Sequence, residues 1–430
     1  MRGRNEHTTR RKFLRAVGGL GAGAGTAGCQ GLLNSSESDS PTPGKQTQES
    51  EVSESPNPQS LSIADQVSQR QYNAARTGVS ETTPLEEPLE VVWEVEYEGT
   101  DEGRVYHQPI VADGTVFFAV QLGGSRYGYA VDATTGEVEW IREGFFPIAV
   151  DQRRLYALGI GETGSGVEII TETLDRQPLW TFTIEPLELE DRLSYLTLDA
   201  NTVYILGSNL YAVDRSTGAL KWVATAPGTV DGTSTYGYGM AASDDHVFLP
   251  RFSGYLYAVD SKTGDLQWWY RPPVLTEDRQ PAVPAQVTPA VADAVVYGGS
   301  SDGRVYALDE KTGDQQWLTS LEHPLRSHTS LVVLNDLVIV SDKSGVVYGL
   351  DAGDGTILWR NKTDTSVHQS PLAISDTVYT FGRDQIWAIA SDGTVSWDAT
   401  LEPKRYLQGP PVIVDGFLFM PLRSRFICLR

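Results

Sequence analysis

The amino-acid sequence predicts an all-β chain folded as an eight-bladed β-propeller of four-stranded antiparallel blades. Three observations predict it. Tryptophan recurs at positions 93, 140, 180, 222, 268, 317, 359 and 397, so that successive copies stand 38 to 49 residues apart. Most of these tryptophans close a hairpin of one pattern. The two ends of the chain carry complementary parts of a single unit.

The first 70 residues stand outside that pattern. Residues 9–31 read "TRRKFLRAVGGLGAGAGTAGCQG". Two arginines precede a Phe-Leu pair, a weakly hydrophobic Gly/Ala/Val segment follows, and small residues lead up to Cys29. This order resembles a twin-arginine export signal joined to a lipobox, with the Cys29 thiol as the point of lipid attachment. Residues 1–29 are therefore expected to be an address and anchor, and the protein to sit on the outer face of the cell membrane. Residues 30–70 are dominated by Ser, Glu, Pro and Gln with few apolar side chains, the composition of a disordered tether.

The repeating part occupies residues 71–430. "AVDATTGEVEW" (130–140), "YAVDRSTGALKW" (211–222), "YAVDSKTGDLQW" (257–268), "YALDEKTGDQQW" (306–317) and "YGLDAGDGTILW" (348–359) are near-copies. "WAIASDGTVSW" (387–397) is weaker, and "EIITETLDRQPLW" (168–180) is eroded. Each has an alternating strand, a turn, and a second strand ending in Trp. Where "TG" is present it supplies the positive φ that a tight connection needs. A second hairpin lies between successive tryptophans, as in "PIVADGTVFFAV" (109–120), "PAVADAVVYGGS" (289–300) and "PVIVDGFLFMPL" (411–422). Two hairpins per period of about 40 to 45 residues make a four-stranded propeller blade.

The ends count the blades. The last unit stops after "FICL" (426–429) without its Trp strand, and "LEVVWEV" (89–95) has a Trp strand with no unit before it. The N-terminal strand is expected to complete the last blade and close the ring, which removes two exposed sheet edges. Trp93, Trp140, Trp180, Trp222, Trp268, Trp317, Trp359 and Trp397 are then packing residues between blades.

The "YAVD-x-x-TG-x-x-x-W" unit, with the lead-in "QYNAARTGVS" (71–80), resembles the repeat of the pyrroloquinoline-quinone (PQQ)-like propeller family. That family includes quinoprotein alcohol dehydrogenases and BamB-like lipoproteins that serve as assembly scaffolds. The resemblance spans residues 71–430 and implies the fold; the function has to be argued from the site. The dehydrogenases hold PQQ with Ca²⁺ bound by carboxylate and amide oxygens, use an Asp base, and commonly stack the quinone on a disulfide of adjacent cysteines. This chain has only Cys29 and Cys428, short hairpin loops, no Ser-His-Asp elbow of the GxSxG type, no CxxC and no HExxH. No catalytic residue, metal ligand or cofactor is assigned, and neither PQQ nor Ca²⁺ is expected. The expected function is a non-enzymatic binding or scaffold module, monomeric, whose partners are other exported or membrane proteins. The alternatives are a PQQ-dependent dehydrogenase and a surface sensor that takes a small ligand at the channel mouth.

That mouth is the candidate site. When the inner hairpins are aligned on their turns, the residue seven places before the turn is Tyr106, Gln286, His328, His368 or Gln408 in blades 1, 5, 6, 7 and 8. It is Gly144, Leu193 or Gly237 in blades 2, 3 and 4. One arc of the ring is polar, with two histidines able to titrate near neutral pH, and the other is small or apolar. Asn34 and Asn361 each open an Asn-x-Ser/Thr tripeptide that could carry a glycan.

Charge narrows the class further. Fifty-six acidic against 34 basic residues give a net charge of −22, and eight of the 34 are Lys. Such a surface repels nucleic acid. It fits adaptation to high salt, and together with the export signal it points to a halophilic archaeon. After residue 29 no run reaches the ~20 apolar residues needed to span a bilayer.

Overall fold

A computed structural model describes residues 73, 78–97, 103–105, 107–123, 125–151, 154–160, 167–184, 195–207, 209–225, 239–251, 253–273, 287–326, 329–363, 365–367, 369–401 and 407–430. Among these there is no helix, and the strands assemble into eight sheets of the expected four-stranded kind, two of them extended by a fifth strand. Blade 6 shows the plan. Val332–Leu334, Leu337–Ser341, Val346–Asp351 and Ile357–Lys362 follow one another as an antiparallel meander.

Burial follows position in the blade. The innermost strands are apolar and closed off, as in Val332–Leu334, Leu372–Ile374 and Val412–Val414. The outermost strands alternate, with every second residue exposed, as in Leu220–Thr225 and Val395–Thr400. One face of an outer strand packs on the next blade while the other meets solvent, which is why only this strand reads with period two.

The tryptophans join neighbouring blades. The indole N–H of Trp93 donates to the Ala133 carbonyl at 2.9 Å, that of Trp268 to Glu310 at 2.9 Å, and that of Trp317 to Ala352 at 2.8 Å. Trp180, Trp222 and Trp359 make the same bond to Arg215, Ser261 and Ser391. In each case the acceptor lies in the turn of the following blade, and the turn glycine of that blade rests on the indole ring. Trp140 packs differently. It faces the eroded turn of blade 2, where Arg176 at φ 63° takes the left-handed position, and it makes an edge contact with Phe145 at 5.7 Å.

The last blade is made from both ends of the chain. Val91–Glu96 lies antiparallel to Arg425–Leu429, with Trp93 opposite Cys428 and Val95 opposite Phe426. The indole of Trp93 lies against Phe426, with 6.1 Å between ring centroids. Glu94 pairs with Arg425 on the exposed face.

Two short strands were not anticipated by the repeat. Gly103–Arg104 pairs with the end of Thr115–Leu122 in blade 1. Val79–Ser80 runs parallel to the innermost strand of blade 7, with Val79 opposite Ala373.

Candidate functional site at the channel mouth

The innermost strand of each blade lines the central channel, and the residues just before it form one mouth. Of the five polar positions read from the sequence, Gln408 is described: its side chain is exposed and its backbone N–H donates to the Pro421 carbonyl at 3.0 Å. Tyr106, Gln286, His328 and His368 lie outside the described residues, as do Leu193, Gly237, Cys29 and Asn34. Gly144 is described, with φ 73° and open space where a side chain would stand. The small arc thus begins on a residue that leaves room at the rim.

Two residues further along the same strands lies a polar layer that the sequence reading missed. Gln108, Thr288, Ser330 and Ser370 are each at most 8 % exposed. Thr288 bridges to Ser330 in the next blade, and the Ser330 N–H donates to Ser370 Oγ at 2.9 Å. The Thr288 and Ser330 hydroxyls have no hydrogen-bond partner among the described residues. A Cβ at Gly239, across the seam from Thr288, would fall 2.8 Å from Thr288 Oγ1. The alignment that picked out the rim also holds this layer, since the polar residue recurs at one offset in blades 1, 5, 6 and 7. It was hidden because Ser and Thr in strands read as ordinary strand formers.

The channel is not empty beside blade 7. The chain's own lead-in occupies it: the Ala373 N–H donates to the Gly78 carbonyl and the Ser375 N–H to the Ser80 carbonyl, both at 2.9 Å. Val79 packs against the cluster formed by Val332, Leu334, Val367 and Ala373. The lead-in then leaves by the far end. Thr82 Oγ1 donates to the Asp415 carboxylate at 2.9 Å and accepts from the Asp415 N–H at 2.6 Å, and the Gly416 N–H donates to the Thr83 carbonyl. The Leu85 N–H donates to the Tyr379 hydroxyl at 2.9 Å. Any ligand of this mouth therefore meets a channel already narrowed by this strand beside blade 7.

Among the described residues no three His, Cys, Asp or Glu side chains gather. Cys428 is fully buried in the last strand with its thiol directed at the Leu429 carbonyl, and burial pushes its pKa well up, so it stays a thiol. The Asn361 amide donates to the Gly393 carbonyl at 2.6 Å, so a glycan there would have to break a bond between blades.

Comparison with solved structures places this arrangement among known propellers. BamB from Moraxella catarrhalis is similar with a TM-score of 0.54 at 17% identity, over 80% of this chain and 99% of that one. A europium-containing methanol dehydrogenase gives a TM-score of 0.63 at 13% identity, over 83% and 89%. The quinohemoprotein alcohol dehydrogenase of Comamonas testosteroni gives 0.62 at 11%, over 85% and 80%. At such identities the likeness is one of fold. No curated protein sequence matches this chain. The family described as outer membrane protein assembly factor BamB matches residues 165–330 and 301–422, more than half of the sequence. The chain belongs to this BamB-like family of PQQ-repeat β-propellers.

Proposed function

We propose that this protein is an exported, lipid-anchored propeller on the outer face of the cell membrane. It binds or scaffolds other exported or membrane proteins and performs no catalysis itself. The observation that carries this reading is the match of residues 165–422 to a family described as an assembly factor. The ordered Arg10-Arg11 and Cys29 motifs support the location. The polar arc of the mouth is the recognition surface in this reading, and the two histidines and the buried hydroxyl layer supply its hydrogen bonds.

The test is co-purification from native membranes with the wild type and with His328→Ala/His368→Ala. Loss of the captured partner at unchanged melting temperature supports the reading. Undiminished capture with a sharply lowered melting temperature makes the arc a structural network instead. Cell fractionation of Cys29→Ser tests the anchor, since a variant that stays processed and membrane-bound rules out attachment at Cys29.

A redox enzyme is the second reading, favoured by the fold likeness to two dehydrogenases. Incubation with PQQ and Ca²⁺, followed by dye reduction with primary alcohols, decides it. Turnover would replace the scaffold reading.

A further inference from the structure

The position after the conserved-spacing tryptophan carries Glu94, Ile141, Thr181, Val223, Leu318, Arg360 and Asp398 in seven blades, and Trp269 in blade 4. Trp269 is 58 % exposed, the most of any large hydrophobic side chain among the described residues. A tryptophan so placed contributes little to the fold, and exposed aromatic surface marks recognition.

Trp269 does not stand alone. It lies opposite Tyr257 in the sheet, and its ring meets Tyr255 at 5.4 Å and 66°. Tyr255 in turn stacks on Tyr257 at 5.8 Å. The Arg271 guanidinium sits over the Tyr255 ring at 5.1 Å, and that of the buried Arg251 lies 5.9 Å from the Tyr257 ring. Among the described residues no carboxylate forms an ion pair with Arg271. Arg271 therefore offers a cation at the edge of this aromatic shelf in a chain whose net charge is −22.

We propose that this shelf binds an acidic carbohydrate. The Trp269 indole stacks on the C–H face of a pyranose ring, whose weakly positive hydrogens complement the negative face of the aromatic system. Arg271, held in place by Tyr255, pairs with a carboxylate or sulfate on that sugar or its neighbour. A peptide adding to the edge of Leu266–Tyr270 would use backbone groups that every outer strand offers, so it does not explain why the position after the repeat tryptophan is itself a tryptophan in blade 4 alone. The shelf lies on the outer rim, apart from the channel mouth, and stands or falls independently of the scaffold reading.

Calorimetric titration of the full-length protein tests the assignment, using oligogalacturonate, a neutral cello-oligosaccharide, polyglutamate and a proline-rich peptide. Oligogalacturonate is expected to bind more tightly than the neutral sugar. Trp269→Ala should weaken both sugars about tenfold or more. Arg271→Gln should remove the preference for the acidic one, while Val223→Ala, an exposed control on blade 3, changes nothing. Melting temperatures confirm that the variants fold. Absence of oligogalacturonate binding, binding indifferent to Trp269→Ala, or equal affinity for acidic and neutral sugars each overturns the proposal. Tighter binding of polyglutamate or the proline-rich peptide also overturns it, in favour of a protein partner.

Discussion

Gly218 lies flat on the indole of Trp180, one blade earlier: a Cβ at Gly218 would fall 2.7 Å from Cδ2 of that ring, and the glycine's φ is 75°. Both facts forbid a side chain. Gly218→Ala should therefore destabilise the protein by about 2–4 kcal/mol, combining left-handed strain with overpacking. Urea unfolding measures it. The same change at Gly114 (φ 77°), where nothing stands within 4 Å of the added carbon, should cost only the strain, about 1 kcal/mol.

Ring closure rests on Trp93, which is 7 % exposed and hydrogen-bonded to blade 1. Trp93→Ala should cost about 3–5 kcal/mol. Trp397→Ala should cost less, because among the described residues its indole makes no hydrogen bond like that of Trp93 to Ala133. Truncation tells the same story at larger scale: removing residues 1–70 should leave the melting temperature nearly unchanged, and removing 1–97 should lower it sharply. Equal values for the two truncations would refute closure by residues 91–96.

The turn aspartates predict acid sensitivity. Hydrogen bonds from Ser216 and Thr217 hold the Asp214 carboxyl down at about 2. The Thr312 N–H and hydroxyl lower Asp309. At Asp132 burial pushes upward, yet the bonds from Thr134 and Thr135 outweigh it. Their folded values lie below the unfolded value of about 3.9. The stabilisation is thus complete above that pH and disappears as pH falls towards about 2. Melting temperatures should drop over this window, and Asp214→Asn should narrow its deficit against the wild type as the pH is lowered. A deficit that is constant from pH 7 to pH 2 would mean the charge contributes nothing.

Thr82 is 3 % exposed and tied twice to Asp415, a residue at φ 49°. Thr82→Val removes the acceptor of the Asp415 N–H and should cost about 1–3 kcal/mol. Chemical denaturation of Thr82→Val and Thr82→Ser side by side checks this, with the serine variant expected to recover most of the loss.

Much of the ring was legible because its information is local and repeated. The turn aspartate, the turn glycine and the tryptophan sit at fixed offsets, and each reports the same contact in successive blades. Where the repeat erodes, the reading loses its grip. Blade 2 keeps its strands although Arg176 holds a position that "TG" fills elsewhere. Val79–Ser80 has no periodicity to detect, since two residues joining a strand almost 300 positions away depend wholly on tertiary placement. The candidate site was less legible still. The rim residues were found by alignment, but the strand lying beside blade 7 could be seen only in three dimensions. The aromatic shelf was overlooked because "QWWY" (267–270) read as one more tryptophan ending.

The threading of the lead-in has a mechanical consequence. Tension entering from the N-terminal side passes the contacts of Gly78–Leu85 before it reaches the closing strand. It meets in turn the two bonds to blade 7, the Thr82–Asp415 pair and the Leu85–Tyr379 contact. Val91–Glu96 feels force only when all of these have let go. The lead-in thus acts as a strain relief, like the knot that keeps a pulled cable from reaching its solder joint.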